Sequence, residues 1–349
     1  MIPNLSERSA RKQIAMGQGH TRRVFIGRTV LIGVGLAAGL GRVRVAGAAS
    51  QVNIGLASIA CHAPTYAAVA NGFFQDEGLQ ATVIDVGANG VLPSLSAGTV
   101  DAGMGTVWSV IPPRLPTGRA LGDVVITSPL QRGCIALSVP ASSEIQSLED
   151  LRGLKVAGSK FLFGTALADA GVNPDSEIVW SAAPSAADVY ATLQSGEFAA
   201  VQSADGQGAL LDVVGEARMI GMINMPPMES NYCCACLMNA TGVTSDRPRA
   251  AAITRAMMRG SAWAESHRSE TAGVMRPTMT VPARREITQE DMEAALAMQA
   301  FVPMAETARP ILIQQFGEFL TYGLPVDGPM DATTLVNRVF QPITDELTA

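Results

Sequence analysis

Three of the five cysteines in this 349-residue chain lie within four consecutive positions of the run NYCCACLMN. They are Cys233, Cys234 and Cys236. Thiolates are soft ligands that select Cu(I) and related metals, so the run is a candidate metal site. Cysteines in an oxidising compartment instead form disulfides, and a buried strand also uses cysteine as a small apolar residue. The spacing matches no standard zinc pattern.

The other two cysteines and one histidine add candidate residues to the metal and disulfide hypotheses. Cys61 and His62 follow the first predicted strand, and Cys134 begins a later apolar segment. The disulfide hypothesis pairs Cys134 with Cys234 or Cys236, because their two segments should run side by side. The main prediction includes no metal or other cofactor, and the three interpretations stay open at this point. The ligands under the soft-metal hypothesis are Cys61, His62, Cys233, Cys234 and Cys236.

The N-terminal residues 1–48 have the features of a targeting segment and are not part of the predicted fold. TRRVFIG, residues 21–27, places paired arginines before an apolar run of 12 residues at 30–41. A membrane-spanning helix needs about 20 residues, so this run is short for an anchor. Ala46-Gly47-Ala48 fits a signal-cleavage pattern. Residues 1–48 thus look like a twin-arginine export signal cleaved near Ala48, which predicts a periplasmic protein; a retained anchor is the alternative.

Removal of this leader makes the protein strongly acidic. Residues 1–48 hold eight basic residues and one acid, and the whole chain carries −6, so residues 49–349 carry −13. This charge argues against nucleic acid or an anionic membrane surface as a partner. About 300 residues correspond to one large or two medium domains. The apolar, glycine-rich composition suits an α/β protein with buried parallel strands.

Strand and helix patterns alternate along most of the mature chain. Short connections between them indicate parallel sheets with right-handed crossovers. From about residue 244 the pattern becomes helical. Strands are predicted at 51–57, 81–86, 101–106, 123–128, 134–139, 154–158, 177–180, 198–204, 217–222 and 232–238. Helices are predicted at 64–75, 91–97, 165–170, 186–194, 208–214, 248–265, 289–300, 308–322 and 332–346.

Two apolar segments, 134–139 and 232–238, enclose the second group of strands and predict two chain crossings between lobes. The first lobe is then discontinuous and comprises 49–133 and 240–349, with the C-terminal helices. The second lobe comprises 134–239, including both crossings. Each lobe is expected to be a mainly parallel sheet flanked by helices. Ligands of such sheets bind beyond the carboxyl ends of the strands, here in the cleft between the lobes.

Three stretches carry a resemblance to a known family. They are APTYAAVANGFFQDEGLQATVI, LSAGTVDAGMGT and SLEDLRGLKVAG, in this order. Together they resemble the periplasmic solute-binding proteins of ABC importers, in the nitrate/sulfonate/taurine branch, which share a fold with thiamine-pyrimidine-synthase-like proteins. The resemblance covers roughly residues 51–320 and is weakest in the C-terminal third. It implies a two-lobed, type II periplasmic-binding-protein fold that closes on a small solute and delivers it to a membrane permease.

The candidate ligand-binding residues follow predicted strands. A helix N-terminus near Thr65 suits an anionic group, and Trp108 either stacks on a ligand or lies in the core. Arg132 either pairs with an anion or stays solvated at the hinge, and Asp205 either enters the pocket or caps a helix. The full predicted set is Cys61, His62, Thr65, Thr106, Trp108, Arg132, Ser159, Gly164, Thr165, Asp205, Cys233 and Cys234.

The leading functional prediction is a monomeric, non-catalytic binding protein that captures a small molecule for an ABC permease. The alternatives are a soft-metal or metal-chelate binding protein, a pyrimidine-synthase-like enzyme using His62 and a cysteine cluster with iron, and a sensor domain that presents a ligand to a receptor. The enzyme is disfavoured because Cys-Cys-Ala-Cys departs from the cysteine run of that family. The sequence shows no phosphate-loop or dinucleotide fingerprint after a strand.

Overall fold

The computed structural model describes residues 50–87, 90–111, 124–203, 206–279, 286–326 and 328–343. The proposed export signal at 1–48 therefore lies outside the described residues. Within these ranges, no helix combines the length and the apolar character that crossing a membrane requires. The part from 49 onward forms one compact unit built around two five-stranded sheets.

The first sheet contains four strands from the N-terminal part of the described chain and one strand that follows the second sheet in sequence. Its order is β2-β1-β3-β10-β4. Valine, isoleucine and alanine fill its central positions; Ile54, Ala102 and Ile126 are completely buried. The strands are β1 (Ser50–Leu56), β2 (Leu79–Asp85), β3 (Ala102–Thr106), β4 (Val124–Gln131) and β10 (Cys234–Asn239).

The second sheet lies entirely within the middle of the chain. Its order is β7-β6-β8-β5-β9. Its strands are shorter, and Val156, Val201 and Leu137 are buried at its centre. The strands are β5 (Ala136–Pro140), β6 (Lys155–Ala157), β7 (Val179–Ser181), β8 (Ala200–Ser203) and β9 (Ala217–Met222).

Each sheet contains one reversed strand. β1 is parallel to β2 and β3, whereas β10 runs antiparallel to both β3 and β4. In the second sheet β6 is parallel to β7 and β8, whereas β5 runs antiparallel to β8 and β9. The sheets are therefore mixed, and the strands that break the expected parallel pattern are the two that follow the chain crossings. A strand that enters from the other lobe starts at the edge where its neighbours end.

The structure changes one predicted assignment. The sequence places 232–239 in the second lobe, but β10 belongs to the first sheet. Its hydrogen-bonding partners are β3 and β4, so the chain has already returned to the first sheet at Cys234. The lobe boundaries themselves remain a proposal, with the return placed before β10.

Helices cover both sheets, and two of these helices are not predicted by the sequence patterns. α7, a six-residue helix capped by the Asn239 side chain, and α9, which follows α8 after a break at His267, were both missed. The helices are α1 (Ala63–Ala70), α2 (Phe73–Asp76), α3 (Val91–Ser96), α4 (Lys160–Asp169), α5 (Val189–Gln194), α6 (Gln207–Val213), α7 (Ala240–Ser245), α8 (Arg247–Ser266), α9 (Arg268–Met275), α10 (Gln289–Ala297), α11 (Arg309–Thr321) and α12 (Ala332–Val339).

The C-terminal chain packs against β4 and so closes the first sheet. Val302 N–H donates to the Leu130 carbonyl over 3.0 Å, and Gln341 N–H donates to the Ile126 carbonyl over 2.9 Å. Buried Phe316, Phe319 and Phe340 add apolar surface from this region. The C-terminal third, where the sequence resemblance is weakest, therefore packs against the first sheet.

Helix α8 crosses α1 at a glycine that permits unusually close approach. A Cβ atom at Gly260 would lie 2.1 Å from the Pro64 carbonyl oxygen and 2.8 Å from the Ala68 Cβ. The nearest obstacle is backbone, which cannot rotate away as a long side chain can. The first turn of α1 directly follows Cys61 and His62, so this helix contact also positions those two residues.

We expect Gly260→Ala to lower the free energy of unfolding by about 2–3 kcal/mol, because the new methyl group overpacks the helix crossing. Gly273→Ala on α9 is the matched control. A Cβ there meets only Gln289 at 3.8 Å, so this change should be neutral or stabilise by up to about 1 kcal/mol. Urea denaturation of both variants measures the difference, and equal effects would contradict the close α1–α8 contact.

Candidate functional site

A cavity of about 230 Å³ lies between the two sheets. Residues at and beyond the carboxyl ends of β1 and β3 line it, together with the start of β10. The second sheet contributes Gln202 of β8, and Ile135 comes from the crossing segment just before β5. This is the position at which open α/β sheets bind ligands. The lining residues are Ile59, Cys61, His62, Val91, Leu92, Met104, Gly105, Thr106, Trp108, Ser109, Ile135, Gln202 and Cys234.

His62 lies at the β1–α1 connection and is almost completely buried. Its Nδ1 accepts a hydrogen bond from the Ala57 N–H over 3.1 Å. Burial lowers the pKa of His62 to about 3, because the charged ring would lose its hydration. The ring is therefore neutral near pH 7, and because Nδ1 is the acceptor, the ring hydrogen lies on Nε2. His62 can offer the cavity a donor without adding charge.

Hydroxyl and amide groups supply the other polar surface of the cavity. The Ser109 hydroxyl donates to the Thr106 carbonyl over 2.6 Å, which keeps the turn after β3 compact. Gln202 Oε1 accepts from the Ser159 N–H over 2.8 Å, so its amide nitrogen is the donor end of this side chain. The thirteen lining residues include no Asp, Glu, Lys or Arg. The cavity is thus polar but formally neutral.

Trp108 joins the cavity to an aromatic cluster. Its ring packs edge-on against Phe161 of α4 and Phe319 of α11, with centroid distances of 6.4 Å and 5.8 Å. Phe161 and Phe319 also contact each other at 5.5 Å. Such T-shaped pairs are favourable geometries for aromatic rings. Trp108 therefore packs in the aromatic cluster and also lines the cavity, and its stacking on a ligand stays a prediction.

Four cysteines lie close together beside this cavity, and two of them, Cys61 and Cys234, line it. Cys134 and Cys233 form a disulfide. The sulfur of Cys234 lies 3.8 Å from that of Cys134 and 3.5 Å from that of Cys233. The sulfurs of Cys61, Cys134 and Cys234 all lie within 4.8 Å of one another. Of the five predicted soft-metal ligands, Cys61 and Cys234 belong to this three-sulfur group together with Cys134, whereas Cys236 does not.

The disulfide differs from the predicted pairing. The sequence pairs Cys134 with Cys234 or Cys236, whereas the structure pairs it with Cys233. The reason is the register of the crossings. Cys233 N–H donates to the Gln131 carbonyl over 2.8 Å, just before β10 begins, which brings Cys233 beside Cys134. Cys236 lies further into β10, where burial raises the pKa of its thiol to about 11 beside Thr127 and Thr254.

Several predicted residues lie away from the cavity lining. Thr65 is buried and its hydroxyl contacts the Met257 sulfur at 3.7 Å. The Arg132 guanidinium lies over the Tyr232 ring, 5.0 Å from its centroid. A Cβ at Gly164 would lie 2.2 Å from the Tyr322 ring, so this glycine permits helix packing. Ser159 precedes α4 and Thr165 lies within it, while Asp205 is outside the described residues.

Sequence reasoning missed Ser109 and Gln202 among the polar lining residues. Both lie close to residues that it selected, Trp108 and Asp205. Gln202 lies inside the predicted strand 198–204, whereas the predicted ligand contact of this region, Asp205, is the residue that follows the strand. An amide side chain near the carboxyl end of a predicted strand is the sequence signal that could have indicated Gln202 as a lining residue.

Comparison of the sequence with protein-family models identifies the family of this chain. Residues 60–271 match the family model described as NMT1/THI5 like. The chain belongs to the NMT1/THI5-like family. No curated protein matches it. The resemblance proposed from the three sequence stretches is confirmed at the level of family and fold.

Solved structures share the fold of this NMT1/THI5-like chain at low sequence identity. The alkanesulfonate-binding protein SsuA from Xanthomonas axonopodis pv. citri, bound to MOPS, is 16% identical to this chain, with a TM-score of 0.62. The alignment covers 84% of this chain and 98% of the SsuA chain. SsuA from Escherichia coli is 18% identical, with a TM-score of 0.63 and coverages of 85% and 94%. The nitrate-binding protein NrtA from Synechocystis PCC 6803 is 14% identical, with a TM-score of 0.65 and coverages of 84% and 86%.

A larger cavity of about 420 Å³ lies elsewhere in this NMT1/THI5-like protein, at the amino end of β3. Arg249 and Asp101 line it, but they already pair with each other over 3.0 Å. The cavity is lined by the segment that precedes β3, the end of β10 and helices α3, α7 and α8, with no residue from the second sheet. The smaller cavity is the better candidate, because it lies between two sheets at the strand ends where this fold class binds ligands.

We expect the Cys134–Cys233 bridge to persist in Cys234→Ser and in Cys236→Ser, and this can be checked by peptide mapping under non-reducing conditions. The bridge closes a loop with a sequence separation of 99 residues. In the chain-entropy view, its reduction should lower the free energy of unfolding by about 4–5 kcal/mol. Loss of the cross-link in Cys234→Ser would show that Cys134 has a different partner.

Proposed function

We propose that this protein is the extracytoplasmic solute-binding component of an ABC importer and acts without catalysis. The observation that carries the proposal is the neutral, donor-bearing cavity between the two sheets. The fold is shared with sulfonate- and nitrate-binding proteins. The apparent twin-arginine leader at 1–48, the predicted periplasmic location and the monomeric state belong to the same proposal.

The chemistry of the cavity supports a small oxyanion or zwitterion as the solute. His62 supplies a neutral N–H donor, and Gln202, Thr106 and Ser109 add amide and hydroxyl groups. Buried neutral donors bind sulfonate or nitrate oxygens without a paired cation when they satisfy them fully. Trp108 offers an apolar wall for a carbon-containing tail. The solute class is therefore nitrate, a sulfonate or a taurine-like molecule.

Closure of the lobes would couple binding to delivery. Gln202 comes from the second sheet and Ile135 from the crossing segment just before it, and the other lining residues come from the first-sheet side. A solute that contacts both sides favours the closed arrangement by its differential affinity. A membrane permease can then recognise the closed form. Arg132, Ser159, Thr165 and Asp205 remain proposed contacts of that closed form.

Thermal-shift and calorimetric titration with nitrate, taurine and MOPS tests the proposed solute class. We expect one of them to bind with one site per chain and to be recovered chemically unchanged. Gln202→Ala should weaken that binding roughly tenfold, because a buried polar contact is lost. Thr241→Ala, in the larger cavity, is the control and should leave the affinity unchanged. If the affinity falls in Thr241→Ala and not in Gln202→Ala, the solute binds in the larger cavity and the proposed site is wrong. Chemical conversion of the solute would indicate an enzyme.

Trp108 gives an independent optical test of the same cavity. The described chain holds Trp108, Trp180 and Trp263, and among them only Trp108 lines the cavity. Solute binding should change tryptophan fluorescence in the wild type and in Trp263→Phe, whose ring stacks on His267 far along α8. The change should be lost in Trp108→Phe. A signal that survives this substitution would place the solute away from Trp108.

A further inference from the structure

We propose that, when its disulfide is reduced, this protein binds one Cu(I) ion between the sulfurs of Cys61, Cys134 and Cys234. This inference goes beyond solute transport and does not depend on it. The three residues come from three separate parts of the chain: the connection after β1, the first crossing, and the start of β10. Their convergence is a product of the fold and not of local sequence.

The sulfur positions match the dimensions of a thiolate site. All three sulfurs lie within 4.8 Å of one another, and Cys134 and Cys234 are 3.8 Å apart. Three thiolates about 2.3 Å from one metal ion are separated from each other by roughly 3.8–4.0 Å. The observed sulfurs therefore need only small movements to enclose an ion. All three residues are about 1% exposed, so water would compete poorly for the ion.

The donor set selects the kind of metal. Thiolates are soft and favour Cu(I) and Zn(II) over harder ions. A structural zinc site almost always has four ligands. Cys233 lies beside the three sulfurs, with its own sulfur 3.5 Å from that of Cys234, but it is not one of the sulfurs that all lie within 4.8 Å of one another. The candidate nitrogen ligand beside them is His62. Its Nδ1 accepts from the Ala57 N–H, which leaves the hydrogen on Nε2 and no lone pair for a metal. Three sulfurs without a nitrogen suit Cu(I), which accepts fewer ligands than zinc.

Access and redox state control the site. Cys61 and Cys234 line the cavity between the sheets, which provides a route for the ion. Cys134 becomes a ligand only after a dithiol reductant converts the Cys134–Cys233 disulfide to two thiols and is itself oxidised to a disulfide, a transfer of two electrons and two protons. Each thiol that then coordinates Cu(I) releases one proton. The oxidised protein lacks the Cys134 ligand.

Anaerobic titration of the reduced full-length protein with Cu(I), against a chromophoric Cu(I) chelator, tests the site. We expect one Cu(I) per chain, and binding at least 100-fold weaker in the oxidised protein and in Cys61→Ser and Cys234→Ser. Cys236→Ser is the matched control, because Cys236 is a buried cysteine of the same strand outside the cluster. It should bind as the wild type does. Equal weakening in Cys236→Ser, or no stoichiometric binding, overturns the proposal.

X-ray absorption of the Cu(I)-loaded wild type supplies a readout that needs no variant. We expect a shell of three sulfurs and no nitrogen or oxygen ligand. A nitrogen ligand would bring His62 into the site and overturn the three-sulfur assignment. Parallel titrations with Zn(II) and Cd(II) should show weaker binding than Cu(I) in the same competition assay, and tighter Zn(II) binding would also contradict it.

Discussion

The double passage of the backbone between two sheets is the constraint on which the rest of the structure depends. At the crossings, Cys233 N–H donates to the Gln131 carbonyl, and the same residue forms the disulfide with Cys134. Ile223 N–H donates to the Ile135 carbonyl at the second-sheet side over 3.1 Å. These contacts hold the two connections side by side. They also decide that β5 and β10 enter their sheets in reverse, since each starts at the edge where its neighbours end.

The cavity is a direct consequence of that arrangement. The strand ends of the first sheet, a crossing segment and a strand of the second sheet can meet only where the chain passes between the sheets. The lining carries hydrogen-bond donors but no formal charge among its residues, although residues 49–349 carry a strong net negative charge. A neutral site avoids the cost of burying an unpaired ion while the cavity is empty. It also leaves discrimination to the geometry of donors such as His62 and Gln202.

The cysteine run shows how neighbouring residues of one type acquire different environments. Cys233 closes the disulfide, Cys234 reaches the cavity floor, and Cys236 lies in the sheet beside threonine hydroxyls. The disulfide and buried-strand interpretations therefore each describe part of the run, and the metal interpretation stays a proposal. Burial is common to all three positions, so apolar packing alone does not separate them. Register with the opposite crossing separates Cys233 from its neighbours.

Local sequence determined most of the secondary structure and the order of the elements, because hydrophobic periodicity and turn glycines act over short distances. The strands at 217–222 and 51–57 and the helix at 248–265 agree with β9, β1 and α8 within one residue at each end. The short helix α7 could have been found from its Asn239 cap, whereas α9 follows α8 after a single residue and carries only a weak pattern of its own. The ordered motifs also indicate the family from the sequence alone.

Only the tertiary structure decided which strand-end residues meet. Cys134 and Cys233 are separated by 99 positions, and nothing local to either one distinguishes Cys233 from Cys234 as its partner. Arg132 and Gly164 lie at plausible strand or helix ends, yet one packs on Tyr232 and the other beneath Tyr322. Gln202 reaches the cavity because the Ser159 N–H orients its amide. Such choices depend on how distant segments pack, and short-range sequence patterns contain no information about that packing.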